Sequence, residues 1–215
     1  MNLTTHPTLA ALSEPSLLAL AQRGELRRYR RHTILMEDGD EASSMLLLLE
    51  GRLRVFALSH DARPRELTLA LLEPGDVAGD TGMATGTRCG TVMALTACCC
   101  VVVSARTVQL QLQADPGLAQ VLWRLAAHRA DQSVQTARRA LFSDTYSRLC
   151  ALLRGEIGHR RAGCDPSFTH AQMAQHIGCS REMVSRIMKD LVSGGYVARL
   201  PNRVYRTLRP LPPRW

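Results

Sequence analysis

Thr169-His-Ala-Gln-Met-Ala-Gln-His-Ile-Gly-Cys-Ser-Arg-Glu-Met-Val-Ser-Arg-Ile-Met-Lys-Asp-Leu191 is the stretch that decides how this chain is read. Met173, Ile177, Val184, Ile187, Met188 and Leu191 recur at helical spacing and predict two short helices around a small shared core. Ala174 is small where the two helices approach closely. Gly178 lies between them, where a positive φ costs glycine little. Thr169, with Gln172 three residues on, predicts a capping box. Ser180 predicts the cap of the second helix. The opposite side of that helix carries Arg181, Glu182, Ser185, Arg186 and Lys189, all polar and three of them cationic. An ordinary surface hairpin could carry those charges into water. Turn glycine, caps, core spacing and charge together point instead to a helix-turn-helix that reads DNA.

Charge is distributed to match. Residues 144–215 hold twelve Arg and Lys against five Asp and Glu, a net of +7. Residues 1–143 hold fifteen against fourteen. A basic module beside a nearly neutral one is the electrostatic footprint of nucleic-acid binding.

The 215 residues suffice for one or two domains with a real core. The opening Met-Asn-Leu-Thr-Thr-His-Pro lacks the basic-then-apolar order of a secretion signal. The longest nearly apolar run, Val92–Val103, is too short for a bilayer. Seven cysteines are an odd number, three of them adjacent at Cys98, Cys99 and Cys100, and no CxxC pair occurs. That argues against a disulfide framework and against a zinc site. The expectation is a cytoplasmic protein with reduced thiols and no membrane segment.

Residues 8–24 predict one or two short helices. Strand-like runs follow at Ile34–Met36, Met45–Leu49, Leu53–Leu58, Leu67–Leu72, Thr91–Leu95 and Cys99–Val103, separated by glycine and acidic turns. Such spacing predicts a small β-sandwich or barrel. Asp115-Pro116-Gly117 opens a long helix reaching about Phe142, with Leu122, Ala126, Ala130, Ser133, Ala137 and Leu141 as a core or dimer seam. Ser143-Asp144 restarts a helix over Tyr146–Ile157. Beyond the helix-turn-helix, Tyr196–Leu200 and Val204–Leu208 flank Pro201-Asn202 and predict a wing bearing Arg199, Arg203 and Arg206. The proline-rich tail, Arg209–Trp215, is expected to be loose.

Strand domain, long helix, then winged helix-turn-helix resembles the cyclic-AMP receptor / fumarate–nitrate regulator (CRP/FNR) family over about residues 20–208. The resemblance is carried by Ile177-Gly-Cys-Ser-Arg-Glu-Met-Val-Ser-Arg-Ile187, by Leu72-Glu-Pro-Gly-Asp-Val-Ala-Gly-Asp80 and by Glu50-Gly51-Arg52-Leu53-Arg54-Val55. It implies an α+β chain: an N-terminal eight-stranded jelly-roll sensor of the cyclic-nucleotide-binding kind over residues 1–115, a dimerisation helix over 116–143, and a winged helix-turn-helix over 144–215. It also implies a homodimer on double-stranded DNA, RNA polymerase as a partner, and allosteric control of DNA affinity.

The family's base-reading face resembles Arg181-Glu182-x-x-Ser185-Arg186. Arginine forks accept the N7/O6 edge of guanine, and glutamate takes the N4 donor of cytosine. The expected target is an inverted repeat with half-sites like TGTGA or TTGA, its two recognition helices about 34 Å apart. Thr169, His170, Ser180, Lys189 and Arg199 are candidates for phosphate contacts, which position without reading sequence. Glu182 also suits a first-turn acid on the helix dipole, and Ser185 a small surface residue.

For the effector, Gly79-Asp80 falls where nucleotide-binding members place an acid for the ribose hydroxyl, here with a shorter side chain. Arg88-Cys89 falls at their phosphate-binding Arg-Ser pair, with a poor thiol donor in place of the hydroxyl. Ser133 falls where the long helix offers a hydroxyl to the base, and the connecting loop Thr81–Thr87 is shorter. A small anionic effector follows from Arg88. Cyclic AMP, cyclic di-GMP, and no nucleotide at all stay open, as does a plain salt bridge from Arg88 to Asp80. Iron–sulfur members need an N-terminal cysteine cluster, and no cysteine precedes Cys89. Haem needs an axial ligand, and nothing singles out His32, His60 or Cys89. Cys89 or Cys179 could sense oxidants, against the plainer reading of inert thiols. Rival readings are an enzyme, a cyclic-nucleotide-binding protein without DNA function, a winged-helix repressor of another family, and a regulator that is constitutively active or redox-responsive. His60 is the only histidine between Thr33 and Ser104, so a jelly-roll metal site lacks ligands, and no P-loop or nucleophile elbow occurs.

Overall fold

The computed structural model describes residues 7–59, 64, 66–156, 168–201 and 204–214. His60, which nothing singles out as a haem ligand, and the wing residues Asn202 and Arg203 lie outside them. The chain divides into two compact units. One holds the described residues up to Ala57 together with Leu69–Ser133, and the other holds Leu58–Thr68 and Val134 onwards.

In the first unit, a 3-10 turn, Pro7–Ala11, and helix α1, Pro15–Ala21, precede eight strands. These are β1 Glu25–Tyr29, β2 Ile34–Met36, β3 Ser44–Glu50, β4 Leu53–Leu58, β5 Glu66–Leu72, β6 Val77–Ala78, β7 Thr91–Ala94 and β8 Cys98–Ser104. They form two four-stranded sheets, ordered β1-β8-β3-β6 and β2-β7-β4-β5. Leu46, Leu48, Leu53, Val92, Cys98 and Cys100 pack in one buried cluster with contributions from both sheets. Met45, Leu47, Leu49, Val101 and Val103 point the other way, onto α1 and the long helix. Leucine at every position from 46 to 49 thus serves two cores, because successive strand side chains face opposite sides. The three adjacent cysteines are buried strand residues, and burial pushes the Cys100 thiol up to about 12.

Two strands depart from the expected pattern. β1, Glu-Leu-Arg-Arg-Tyr, is a largely polar edge strand. β6 is two residues long. The expected loop after Asp80 is instead a short helix, α2 Asp80–Thr85, opened by Gly79 and closed by Gly86, both at positive φ. Helix α3, Ala105–Ala114, also goes beyond the sequence expectation; Ser104 caps it, its hydroxyl accepting the Thr107 N–H at 3.1 Å.

Helix α4 spans Pro116–Phe142. Leu118 and Val121 are buried in the first core, and Leu122 and Leu125 pack against it. The second unit adds α5 Thr145–Leu153, α6 His170–Ile177, α7 Arg181–Ser193, and the two-stranded wing of β9 Val197–Arg199 and β10 Tyr205–Thr207. Tyr146, Leu149, Leu152, Met173, Ile177, Val184, Ile187, Met188 and Leu191 form its core. Burying such side chains contributes roughly 1.5–3 kcal/mol each. The tail is docked, in contrast to the expected loose end. The Tyr146 hydroxyl donates to the Pro212 carbonyl at 2.8 Å, Leu211 packs on the core, and the Arg209 guanidinium lies 4.0 Å over the Tyr196 ring.

Candidate nucleic-acid interface and effector site

Local chemistry sets the two helices of the hairpin. Thr169 Oγ1 accepts the Gln172 N–H at 3.1 Å, and the Gln172 side-chain oxygen accepts the Thr169 N–H at 2.8 Å. Gly178 closes α6 at φ +68°. Ser180 Oγ accepts the Met183 N–H at 3.2 Å and starts α7. The Arg148 guanidinium, from α5, donates to the Ile177 carbonyl at 3.0 Å and the Ser143 carbonyl at 2.6 Å, tying the turn to the preceding helix. Nothing in the local pattern around position 148 signals that role.

Along α7 one side is buried and the other open. Val184, Ile187, Met188 and Leu191 are in the core, while Arg181, Glu182, Arg186 and Lys189 are exposed. The Glu182 carboxyl is held below its usual range by its own backbone N–H first, then by the Ser180 hydroxyl and Arg181. It stands ionised and oriented at the head of the helix. Ser185 is half-buried rather than open, its hydroxyl 2.9 Å from His170 Nδ1. His170 Nε2 is 2.9 Å from the Tyr205 hydroxyl. Ser185 and His170, expected separately as a base reader and a phosphate contact, are therefore joined. The Thr169 and Ser180 hydroxyls are engaged in capping. Arg199 is exposed on the wing and pairs across it with Tyr205.

The second site lies within the first unit. Arg88 is 6% exposed. It donates to the Gly79 carbonyl at 3.0 Å and the Ser44 carbonyl at 2.6 Å, with Ser44 Oγ at 3.4 Å. Gly79 sits at φ +83°, and a Cβ there would collide with Arg88 Nη1 and the Met36 thioether. Asp80 does not pair with Arg88. Its partner is Arg129 of α4, a residue absent from the sequence expectation, which also donates to the Val77 carbonyl at 3.0 Å. Asp80 Oδ1 and Arg129 Nε are buried with no hydrogen-bond partner among the described residues. Cys89 is exposed, 3.4 Å from Thr81 Oγ1. Ser133 is exposed on α4.

These groups suit an anion carrying hydroxyls. Among the described residues Arg88 donates to neutral oxygens, with the Asp40 carboxylate near enough to act on its charge. Asp80 keeps one oxygen without a donor. Both are features that a cyclic nucleotide's phosphate and ribose hydroxyl would satisfy.

Residues 26–115 match the cyclic nucleotide-binding domain family, and residues 147–210 match the Crp-like helix-turn-helix domain family. The chain is 27% identical over 206 residues to the CRP-like protein Clp of Xanthomonas campestris pv. campestris, covering 90% of this chain and 87% of that protein. It is 26% identical over 189 residues to the cAMP-activated global transcriptional regulator CRP of Escherichia coli O157:H7, covering 83% and 88%. Its fold resembles that of the c-di-GMP responsive global regulator CLP of Xanthomonas campestris, with a TM-score of 0.78 at 23% identity, over 91% of this chain and 99% of that one. A β-roll with a buried arginine, a long helix and a capped, cationic recognition helix thus stand in one chain with both matched domains, and the protein belongs to the CRP/FNR family of DNA-binding transcription regulators.

Proposed function

We propose that the protein acts as a homodimer on an inverted repeat, and that an anionic cyclic nucleotide held at Arg88 sets its DNA affinity. The observation that carries this is the outward side of α7, where Arg181, Glu182, Arg186 and Lys189 are exposed on a helix whose other side is sealed into a core. Arg181, Glu182 and Arg186 read bases, with Ser185 beside them. Lys189, Arg199 and the helix starts at His170 and Ser180 hold phosphates.

Dimerisation rests on α4. Leu122 and Ala126 are half-buried, with Leu122 against the first core. The outward stripe runs instead through Trp123, Ala127, Ala130, Val134, Ala137 and Leu141, all exposed. Their spacing of four and three is a heptad seam, which a second copy of the same helix covers. Trp123 is 76% and Leu141 78% exposed, and with Val134 between them they form an apolar stripe of the kind that marks an interaction surface.

Arg88, with Gly79, Asp80 and Cys89, would take the effector, and Ser133 on α4 is the further candidate that the family resemblance supplies. The relatives named above respond to cAMP or to c-di-GMP, and either offers the phosphate diester that Arg88 suits. A ligand that binds one arrangement of the dimer better shifts the population by that difference alone. The regulator works in the cytoplasm, where DNA and RNA polymerase are.

Fluorescence anisotropy on a labelled TGTGA inverted-repeat duplex, with and without each nucleotide, tests this. Binding should weaken steeply with salt, and one nucleotide should shift the affinity. Affinity that ignores both nucleotides removes the effector assignment; binding without preference for the repeat removes the base-reading assignment.

A further inference from the structure

The ring of His170 joins three elements. It opens α6; Nδ1 lies 2.9 Å from Ser185 Oγ on α7, and Nε2 lies 2.9 Å from the Tyr205 hydroxyl on β10. The ring also stacks on Tyr205, centroids 5.8 Å apart and planes 28° from parallel. The groups that face it are Ser185 and Arg181 from α7, Arg199 from β9 and Tyr205 from β10. Burial first, then Arg199 and Arg181, hold the ring below the ordinary histidine range, so it is neutral at pH 7.

A neutral imidazole has one donor and one acceptor nitrogen, so one of the two hydroxyls gives its proton to the ring. An imidazolium donates from both nitrogens. Both hydroxyls then accept, and the O–H that had pointed at the ring turns outward. The clamp survives protonation with one of its two hydrogen bonds reversed. The two cations that disfavour the proton are among the groups assigned to DNA contact. DNA seated on this face brings phosphate against Arg199 and the electronegative edge of a base against Arg181, which offsets those cations and adds negative potential at the ring.

We propose that His170 is a positioning residue that fixes the base-facing side of α7 to the wing, and that seating this face on duplex DNA loads one proton onto its ring. The inference rests on the assignment of the Arg181–Arg186 side of α7 to DNA. Proton uptake on binding makes affinity rise as pH falls, by at most tenfold per pH unit for one proton. Between pH 7.5 and 5.5 at fixed ionic strength, Kd should tighten by about three- to tenfold for each ring loaded, one at each half-site.

The test uses the full chain and a labelled duplex carrying a TGTGA inverted repeat. Anisotropy gives the pH profile of Kd, and NMR follows the His170 ring with and without DNA. The wild type should tighten on acidification, and its His170 ring should titrate at higher pH when DNA is bound. His170→Gln should lose most of the pH slope. His176→Gln, at the histidine whose ring lies tilted against Phe168 with centroids 4.7 Å apart, should keep it. A flat wild-type profile, a slope unchanged in His170→Gln, or a ring that titrates no higher with DNA overturns the proposal. Should His170→Gln fail to fold, the wild-type ring titration decides alone. A double variant Arg181→Ala/Arg186→Ala that binds as tightly as the wild type would remove the DNA assignment of the face itself; failure of the clamp would leave that weakening in place with a flat pH profile.

Discussion

Arg88 and Arg181 are the two arginines on which the proposed function turns, and their surroundings make them fail differently. Arg181 is exposed, so Arg181→Ala should leave stability nearly unchanged and relax preference at one base pair by about 1–3 kcal/mol. A uniform loss over all duplexes would make it a phosphate contact instead, and binding to a set of single-base variants separates the two. Arg88 donates to the Ser44 and Gly79 carbonyls, so it has a structural role beside the proposed ligand contact. Arg88→Gln should abolish the response to nucleotide in calorimetric titration and also lower stability by about 1–3 kcal/mol. His170 adds a pH dependence of opposite sign for fold and for binding. Its folded value lies below the unfolded one, so the unfolded chain binds more protons as pH falls. The free protein should therefore lose stability as pH drops through about 6.5, while its grip on DNA tightens. Thermal unfolding at pH 7.5 and 5.5 should show a difference that shrinks in His170→Gln.

Elements that announce themselves do so through neighbours within four residues. The capping box at Thr169–Gln172, the Ser180 cap, the Asp144 cap on Ser147 and the left-handed Gly178 are all such contacts. Thr169→Ala and Ser180→Ala should each cost about 0.5–2 kcal/mol in chemical denaturation. Ser180→Ala should also free the Glu182 carboxylate from one of its partners. β1 carries no such signal. Its Glu25, Arg27 and Arg28 are the exposed residues of an edge strand, held by pairing with β8 rather than by apolar alternation. α3 is obscured for another reason. Val108, Leu110 and Leu112 alternate with glutamines, a strand-like period, yet Ser104 caps a helix there and Val108 is buried against the first core.

On the scale of the whole molecule, the outward stripe of α4 matters most. Leu122 faces the chain's own β-roll, while Trp123, Val134 and Leu141 are exposed and form the seam of the proposed dimer. Val134→Glu or Leu141→Glu should shift the protein toward monomer in light scattering and weaken binding to the full repeat far more than to a half-site. The folded core should stay intact, because neither side chain contributes to it.

Regular spacing, caps, turn glycines and the separation of charge are properties of short stretches of chain, and they were enough to specify the helix-turn-helix, most strands of the β-roll and the side of α7 that faces outward. The pairings that give the sites their chemistry are not local. Arg88 meets Ser44 across 44 residues, Arg129 meets Asp80 across 49, and His170 meets Tyr205 across 35. Which carboxylate an arginine finds, or which hydroxyl a histidine holds, depends on where the folded backbone returns, and no periodicity along the chain encodes that distance. Only the packed fold could show that Asp80 belongs to Arg129 and that Ser185 is held from behind by an imidazole.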